Sequence, residues 1–229
     1  LVEVTSIQPW KGGILVTAAP NILYLKETDG DRRADLRRTV FTGFFTGNSE
    51  AQITDLRFDL TNWIYASNAG RTGSVRFQER PDAPPVTVNG GDFRFRLDTG
   101  AFERVSGSAQ FGQDADDFGR RFVTQNTRHV RHVVLPETYE TRNPAVELPV
   151  LENVNDHGLR MYQRTETPHW REVRTRRRNR RYEREGLDRT EYARDHFTGA
   201  SGGTIYSAAL FPERYRGNLF TAEVAGNLV

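Results

Sequence analysis

The sequence predicts an all-β fold, and within that class a β-propeller of which the 229 residues contain about five blades. Short runs of alternating apolar and polar residues are separated by Gly, Asn and Asp, which predicts antiparallel strands joined by hairpins. Residues 62–68, 119–126 and 217–225 repeat one order of turn, aromatic-rich strand and polar strand end. A loose repeat of this kind is typical of propellers, whose blades take ~40–45 residues each.

The clearest of these patterns lies in residues 91–135. Phe93 and Phe95 alternate with two arginines, which is the period of a half-buried strand. Residues 98–100 read Asp-Thr-Gly and predict the turn of a hairpin whose return strand is 101–105. Residues 110–117 then form an acidic polar loop before another strand restarts near residue 118. We therefore expect a well-formed blade with a ligand-binding edge.

Composition restricts the chemistry only slightly. Hydrophobic residues make up 36% of the chain and charged residues 27%, which is compatible with an ordinary folded core. The chain has no Cys, so disulfides, thiolate zinc sites and a CxxCH haem attachment are excluded within it. No run of ~18 apolar residues and no signal-peptide pattern is found, so we predict no membrane span in this chain.

We interpret residues 1–229 as a single domain, truncated at both ends and part of a larger ring, with a loop-rich, Arg-rich excursion at residues 138–190. Within the excursion, residues 171–184 hold eight Arg in fourteen positions. Such a run is either a phosphate-binding patch or a solvated hairpin or loop balanced by neighbouring acids. Aromatic residues spaced to stack bases are nearly absent there, which favours the second interpretation and predicts no nucleic-acid partner.

An acidic segment near the N-terminus resembles a calcium-binding loop. Glu27, Asp29, Asp31 and Asp35 follow the spacing by which a tight loop places oxygen ligands around calcium. The match is partial, because Arg32 stands where such loops use Gly for a sharp turn. The alternative is an acidic hairpin loop neutralised by its own arginines.

Several motifs in succession resemble one family. They are residues 12–25, the Asp29-Gly30-Asp31 loop, and residues 62–65, 92–96, 110–112, 129–134, 199–206 and 215–229. Together they resemble the PVC-type membrane-bound dehydrogenase domain family, which consists of bacterial β-propellers related to soluble quinoprotein glucose/sorbosone dehydrogenases. The resemblance covers nearly the whole chain.

The resemblance implies an extracytoplasmic (periplasmic or extracellular) propeller that holds pyrroloquinoline quinone (PQQ), with calcium, and oxidises a sugar-like alcohol. A cytochrome c module or partner is also implied. The chain departs from the sugar dehydrogenases at residues 51–54, which read Ala-Gln-Ile-Thr where those enzymes place a His. The alternative function is therefore a non-catalytic propeller that binds carbohydrate or a protein partner.

A general base must come from elsewhere if the chain is an enzyme, because oxidation of an alcohol requires removal of the hydroxyl proton. His157, beside Asp156, is the first candidate and His196, beside Asp195, is the second. His129 and His132 are three residues apart, so on one strand they would point to opposite faces.

Polar and cationic residues at strand ends are the candidates for cofactor binding. The polar candidates, Gln110, Asp117, Asn126 and His129, surround the return strand of residues 91–135, although Asx-rich loops also bond their own backbone. The cationic candidates, which would neutralise the carboxylates of a quinone, are Arg94 and Arg174.

Overall fold

The computed structural model describes residues 3–140, 142, 145, 149–154 and 160–229. The fold is all-β, as predicted, and every strand pairing is antiparallel. The strands are β1 (Ser6–Trp10), β2 (Gly13–Ala18), β3 (Asn21–Lys26), β4 (Leu36–Thr42), β5 (Thr54–Phe58), β6 (Ile64–Ser67), β7 (Gly73–Phe77), β8 (Val86–Val88), β9 (Asp92–Arg96), β10 (Ala101–Val105), β11 (Gly112–Ala115), β12 (Arg121–Gln125), β13 (Arg128–Val133), β14 (Leu151–Asn153), β15 (Ala200–Ile205) and β16 (Leu219–Glu223). The helices are α1 (Glu137–Glu140) and α2 (His169–Arg184), with 3₁₀ turns at Ser49–Ala51 and Glu213–Tyr215.

The described strands form four antiparallel sheets, and only the β7–β8 hairpin departs from chain order. The first sheet runs β1-β2-β3-β4-β7-β8, the second β10-β9-β6-β5, the third β11-β12-β13-β14 and the last β15-β16. The described residues thus form four sheets, where the sequence predicts about five blades. The β7–β8 hairpin belongs to the first sheet and does not form a blade of its own. In the long connection between β13 and β15, only β14 joins a described sheet. None of these described sheets closes on itself.

The first strands of successive sheets are joined by a repeated polar contact. The Ser6 hydroxyl accepts the backbone N–H of Leu56, 50 residues away at 2.9 Å, and so links β1 to β5. Asp55 accepts the N–H of Gln113, 58 residues away, which links β5 to β11. Asp114 accepts the N–H of Ile205, 91 residues away at 2.8 Å, which links β11 to β15. A side chain of one first strand therefore satisfies the backbone of the next, and we call these contacts the strand row.

Aromatic residues fill the main core, between the first two sheets. Phe93 and Phe95 are fully buried, as their alternation predicts, and Arg94 and Arg96 lie on the other face of β9. The Phe41 and Phe95 ring centroids are 5.0 Å apart. Burying each such side chain contributes about 1.5–3 kcal/mol, so this cluster is a principal source of stability.

The hairpin predicted at residues 91–105 is confirmed, but the loop predicted at 110–117 is wrong in part. β9 pairs with β10 in the register Ala101 to Arg96. β11 occupies the middle of the supposed loop. Its side chains are polar because Gln113 and Asp114 bond the neighbouring first strands rather than an apolar core.

The prediction of a hairpin or loop for residues 171–184 is also wrong, because this segment is the greater part of α2. Arg is a good helix former, and no Gly or Pro interrupts residues 169–184. Pro168 precedes the helix, and Gly186 follows it with a φ of +63°. The sequence shows no apolar helical pattern in this segment, because the buried face of α2 consists of Arg171, Thr175 and Tyr182. Within the parts of the chain described above, no helix is both long and apolar enough to cross a bilayer.

Replacing Gly112 tests the close approach of β11 to β15. A Cβ at this position would lie 1.2 Å from the carbonyl oxygen of Gly202, so Gly112→Ala must push β11 away from β15. We expect chemical denaturation to show a loss of about 3 kcal/mol.

Gly119→Ala on the β11–β12 turn is the matched control. A Cβ there would meet no atom within 4 Å, and only its φ of +77° opposes the change. The control should lose about 1–2 kcal/mol. An equal or smaller loss for Gly112→Ala would contradict the close approach of β11 and β15.

Candidate functional site

A polar cleft lies where α2 meets the ends of three sheets, and we call it the helix cleft. Its volume is about 460 Å³. Its lining residues are Glu50, Asn126, Thr127, Arg174, Arg178, Arg189, Thr190, Glu191, Tyr192, His196, Phe197 and Thr198. They come from the 3₁₀ turn before β5, the β12–β13 turn, α2 and the segment before β15. Four segments distant in sequence therefore meet at one concave surface.

Three of the sequence-predicted site residues line the helix cleft, and two more lie next to it. Asn126, Arg174 and His196 line it directly. Gln110 borders it, because its Nε2 donates a 3.0 Å hydrogen bond to the carbonyl oxygen of Glu50. His129 lies behind it, with its ring stacked on that of Phe197 at 4.0 Å between centroids.

Glu191 neutralises two arginines in the cleft. Its carboxylate lies 3.4 Å from Arg174 and 3.0 Å from Arg178. The hydrogen bond to Glu191 raises the pKa of Arg178. Glu191 is held to α2 through its backbone, which both donates to and accepts from the side chain of Asn179. The cleft therefore has a charge pattern anchored on the helix.

His196 is held in one tautomer at the cleft wall. Its Nδ1 lies 3.2 Å from the carbonyl oxygen of Phe197, which can only accept, so Nδ1 carries the proton. The neutral ring then has its lone pair on Nε2. Tyr192 stacks on the ring at 4.6 Å between centroids, and Arg171 donates to the His196 carbonyl oxygen. The Tyr192 ring and the Phe197 carbonyl thus orient the imidazole, and Arg171 holds the backbone of His196.

Buried donors accumulate on the side of α2 that faces the protein. Arg171 Nε and Nη1, Arg174 Nε and Thr175 Oγ1 are buried and have no hydrogen-bond partner within the described residues. Burial lowers the pKa of Arg171, which is opposed by the nearby Glu223 carboxylate. Unsatisfied buried donors cost about 1–3 kcal/mol each, so polar acceptors beyond those of the described residues would stabilise this face of α2.

A second concave surface lies at the opposite ends of the strands, between the β5–β6 and β11–β12 turns. We call it the turn cavity; its volume is about 520 Å³. Leu60 and Phe118 stand on its two turns and are 83% and 84% exposed. Asp59 and Asp116 accept hydrogen bonds within their own turns. Asp117, a sequence-predicted site residue, lines this cavity and not the helix cleft.

A buried ionic network supports the turn cavity. Arg121 lines it, donates to the Asp92 carboxylate at 3.2 Å and to Gln113 Oε1 at 2.9 Å, and lies over the Tyr65 ring. Asp92 is fully buried and also accepts the backbone N–H of Ala109. Burial raises the pKa of Asp92 to about 6, against the opposing effect of Arg121. Burial also raises the pKa of Asp55 in the strand row.

Arg94 and His132 line neither cavity. Arg94 pairs with Glu103 at 2.7 Å and stacks over Trp63. His157 lies outside the described residues. His129 and His132 lie on β13 and stack on different rings, those of Phe197 and Phe122.

The acidic candidates for calcium lie on the β3–β4 connection. Glu27, Asp29 and Asp35 are exposed and each offers an oxygen within 4.8 Å of the others. Asp31 is outside this group and accepts the backbone N–H of Arg33. Arg32 adopts a φ of +68°, the conformation for which calcium loops use Gly. Hydrogen bonds from Thr28 lower the pKa of Asp35.

Comparison with known proteins identifies the family. A family model described as a domain of unknown function, DUF7133, matches residues 1–229. The chain belongs to the DUF7133 family. No curated protein and no solved structure matches it significantly. The description of the DUF7133 family names no activity, so the two cavities are the basis for proposing a function.

Sequence reasoning missed several residues of both sites. In this DUF7133 chain, Glu191 and Tyr192 occupy the helix cleft without any motif, and Arg57, Tyr65 and Arg121 occupy the turn cavity. From the sequence, Arg121 could be predicted only to lie on a strand. Its role depends on Asp92, which lies 29 residues earlier in the chain.

Asp92 makes stability depend on pH. Its folded pKa of about 6 lies above the ordinary value of 3.8, so the folded state binds the proton more tightly. The stability that Asp92 contributes is fully present below about pH 4 and falls as the pH rises to about 6, by up to about 3 kcal/mol. Urea unfolding from pH 3.5 to 7.5 should show this decline superimposed on other titrations.

Asp92→Asn should remove that component of the decline, whatever it costs in absolute stability. Asp98→Asn, on the exposed β9–β10 turn, is the control and should leave the decline unchanged. A pH profile for Asp92→Asn that runs parallel to the parent profile would show that Asp92 does not titrate in this window.

Proposed function

We propose that this DUF7133 chain is the propeller domain of a quinoprotein-like sugar or alcohol dehydrogenase that acts outside the cytoplasm, with the helix cleft as its ligand site. One observation carries the proposal. Asn126, Arg174 and His196, which the sequence assigns to cofactor binding and proton transfer, come from three separate segments and line the same cleft. The extracytoplasmic location, and a cytochrome c module as electron acceptor, rest on the family resemblance.

The propeller is supported by the order of the sheets and by the strand row. Blades of a propeller are successive antiparallel sheets arranged radially, with their first strands nearest the axis. Here β1, β5, β11 and β15 are the first strands, and side chains bond each to the next.

His196 has the properties of the general base. Because its Nδ1–H is held by the Phe197 carbonyl, Nε2 has the lone pair that accepts a hydroxyl proton. Stacking on Tyr192 fixes the plane of the ring, so the ring loses little orientational freedom when a ligand binds. His196 thereby replaces the His that is missing at residues 51–54.

The cleft fits a carboxylate-bearing cofactor on its α2 side. Arg174 Nε is buried without a partner in the described part of the chain, and Arg189 adds positive charge beside the pairs that Arg174 and Arg178 form with Glu191. PQQ, when bound, accepts the hydride that leaves the alcohol carbon. Arg94 has no part in this fit because it pairs with Glu103. The acidic cluster on the β3–β4 connection supplies no residue to the cleft, so calcium binding there is a separate proposal.

Reconstitution tests the enzyme proposal. PQQ and calcium added to the purified chain should give a perturbed cofactor absorption spectrum and, with aldoses, reduction of a redox dye. His196→Gln should lower dye reduction by about 10²-fold or more while leaving the spectrum of the bound cofactor intact.

His132→Gln is the matched control, because His132 stacks on Phe122 and does not line the cleft. It should leave dye reduction unchanged. If PQQ shows no spectral change with the parent chain, the enzyme proposal is rejected. If the two variants reduce the dye equally well, His196 is not the general base.

The turn cavity favours a second candidate, a non-catalytic domain that binds carbohydrate. Phe118 presents an exposed ring at the rim, and Asp117 and Tyr65 add polar groups beside it. An apolar face with a few fixed polar groups is the usual composition of a small-ligand site. A sugar fits this pattern because its C–H face packs on the ring while its hydroxyls bond the carboxylate.

Phe118→Ala tests the second candidate. Calorimetric titration with soluble oligosaccharides should show at least about tenfold weaker binding, because the ring supplies most of the apolar contact. Phe211→Ala, also exposed but lining neither cavity, should bind like the parent. Unchanged binding in Phe118→Ala, or no oligosaccharide binding by the parent, would reject the turn cavity as a sugar site.

A further inference from the structure

The outward face of α2 is opposite its buried face. Arg171, Thr175 and Tyr182 point into the protein. At 3.6 residues per turn, the opposite side of the helix carries an exposed set that we call the outer stripe: Val173, Arg176, Arg177, Arg180 and Arg184. Sixteen residues of helix extend about 24 Å, which is enough to contact a partner along several turns.

In the described part of the chain, the arginines of the outer stripe have no ion pair, whereas three other arginines of α2 do. Arg174 and Arg178 pair with Glu191, and Arg181 pairs with Glu185. Within the described residues, no carboxylate lies within 4.0 Å of the guanidinium groups of the outer stripe. Glu172, the acid near Arg176, is taken by Arg194 at 2.6 Å. Among the described residues, the outer stripe is therefore a concentrated positive surface without a paired carboxylate.

The outer stripe also has an apolar end. Val173 is 43% exposed and lines a shallow groove of about 450 Å³ with the four arginines and Glu183. Trp170, one turn nearer the N-terminus, is 61% exposed. The first turn of the exposed face of α2 is therefore apolar, and its later turns are basic.

We propose that the outer stripe docks an acidic, partly apolar surface of a partner protein, in a role separate from both cavities. Arg and aromatic side chains are the residues enriched at protein interfaces, and the planar guanidinium matches carboxylates in bidentate pairs. Apolar Val173 and Trp170 then contact the apolar part of the same partner. Charge complementarity therefore defines the partner as one that presents Asp or Glu beside Leu-like side chains.

Other occupants fit the stripe less well. A second copy of this chain would bring like charges together. A membrane-surface helix needs a broad apolar face, and the exposed side of α2 offers only Trp170 and Val173. A nucleic acid would use the charges but gain little from Val173.

A binding assay with defined probes tests the proposal. The probe is a labelled synthetic helix that carries Glu and Leu on one face, measured by fluorescence anisotropy at physiological ionic strength, where exposed charges still act at short range. Duplex DNA and vesicles of phosphatidylserine with phosphatidylcholine are the competing probes. The triple variant Arg177→Gln, Arg180→Gln, Arg184→Gln should bind the peptide at least about tenfold more weakly.

The matched control is Arg32→Gln, Arg33→Gln, Arg37→Gln, which removes the same charge from exposed residues at the β3–β4 connection and start of β4. It should change peptide affinity less than twofold, and circular dichroism should confirm that both triples keep the helix. Val173→Ser, with no change in charge, should also weaken peptide binding. Equal losses in the two triples, tighter binding of DNA or vesicles than of peptide, or no peptide binding by the parent chain would each overturn the proposal.

Discussion

The fold depends on the strand row, in which the first strand of each sheet is bonded to the first strand of the next. Small antiparallel sheets of this size bury little on their own and must pack together to be stable. Between the first two sheets the Phe-rich core does this. Around β11 the neighbouring side chains are polar, and the attachment comes from Asp55 and Asp114 accepting backbone N–H groups. Each carboxylate satisfies a backbone donor of the neighbouring sheet, so two side chains can join three sheets.

That arrangement explains which features the sequence could predict. Local patterns identified the β9–β10 hairpin and the burial of Phe93 and Phe95, because alternation and a Gly turn act between neighbours. The same reasoning missed α2, whose buried face is Arg171, Thr175 and Tyr182 rather than an apolar stripe. It also assigned β11 to a loop, because its polar residues are satisfied by strands 58 and 91 positions away. Hydrogen bonds between polar groups that are far apart in the chain produce no periodic pattern in the sequence.

The candidate sites show the same division. Asn126, Arg174 and His196 were predictable as residue types suited to a ligand, and the structure places them in one cleft. Glu191, which balances Arg174 and Arg178, was not, because its role follows from its attachment to Asn179. Asp117 had equal claim by sequence and lies instead at the opposite ends of the strands. Only the path of β11 and β12 decides which end of the sheet a side chain reaches.

The three separations along the strand row are 50, 58 and 91 residues, although the contact made at each step is the same. The third interval is long because it contains α1, β14 and α2. Lengthening a loop whose ends stay fixed costs little, about 0.6 kcal/mol for each doubling. This interval is thus the part of the architecture most open to evolutionary change, since whole elements can be inserted or replaced there while the strands keep their neighbours. New binding specificities could arise at the helix cleft by exchange of that one segment, with the scaffold inherited intact.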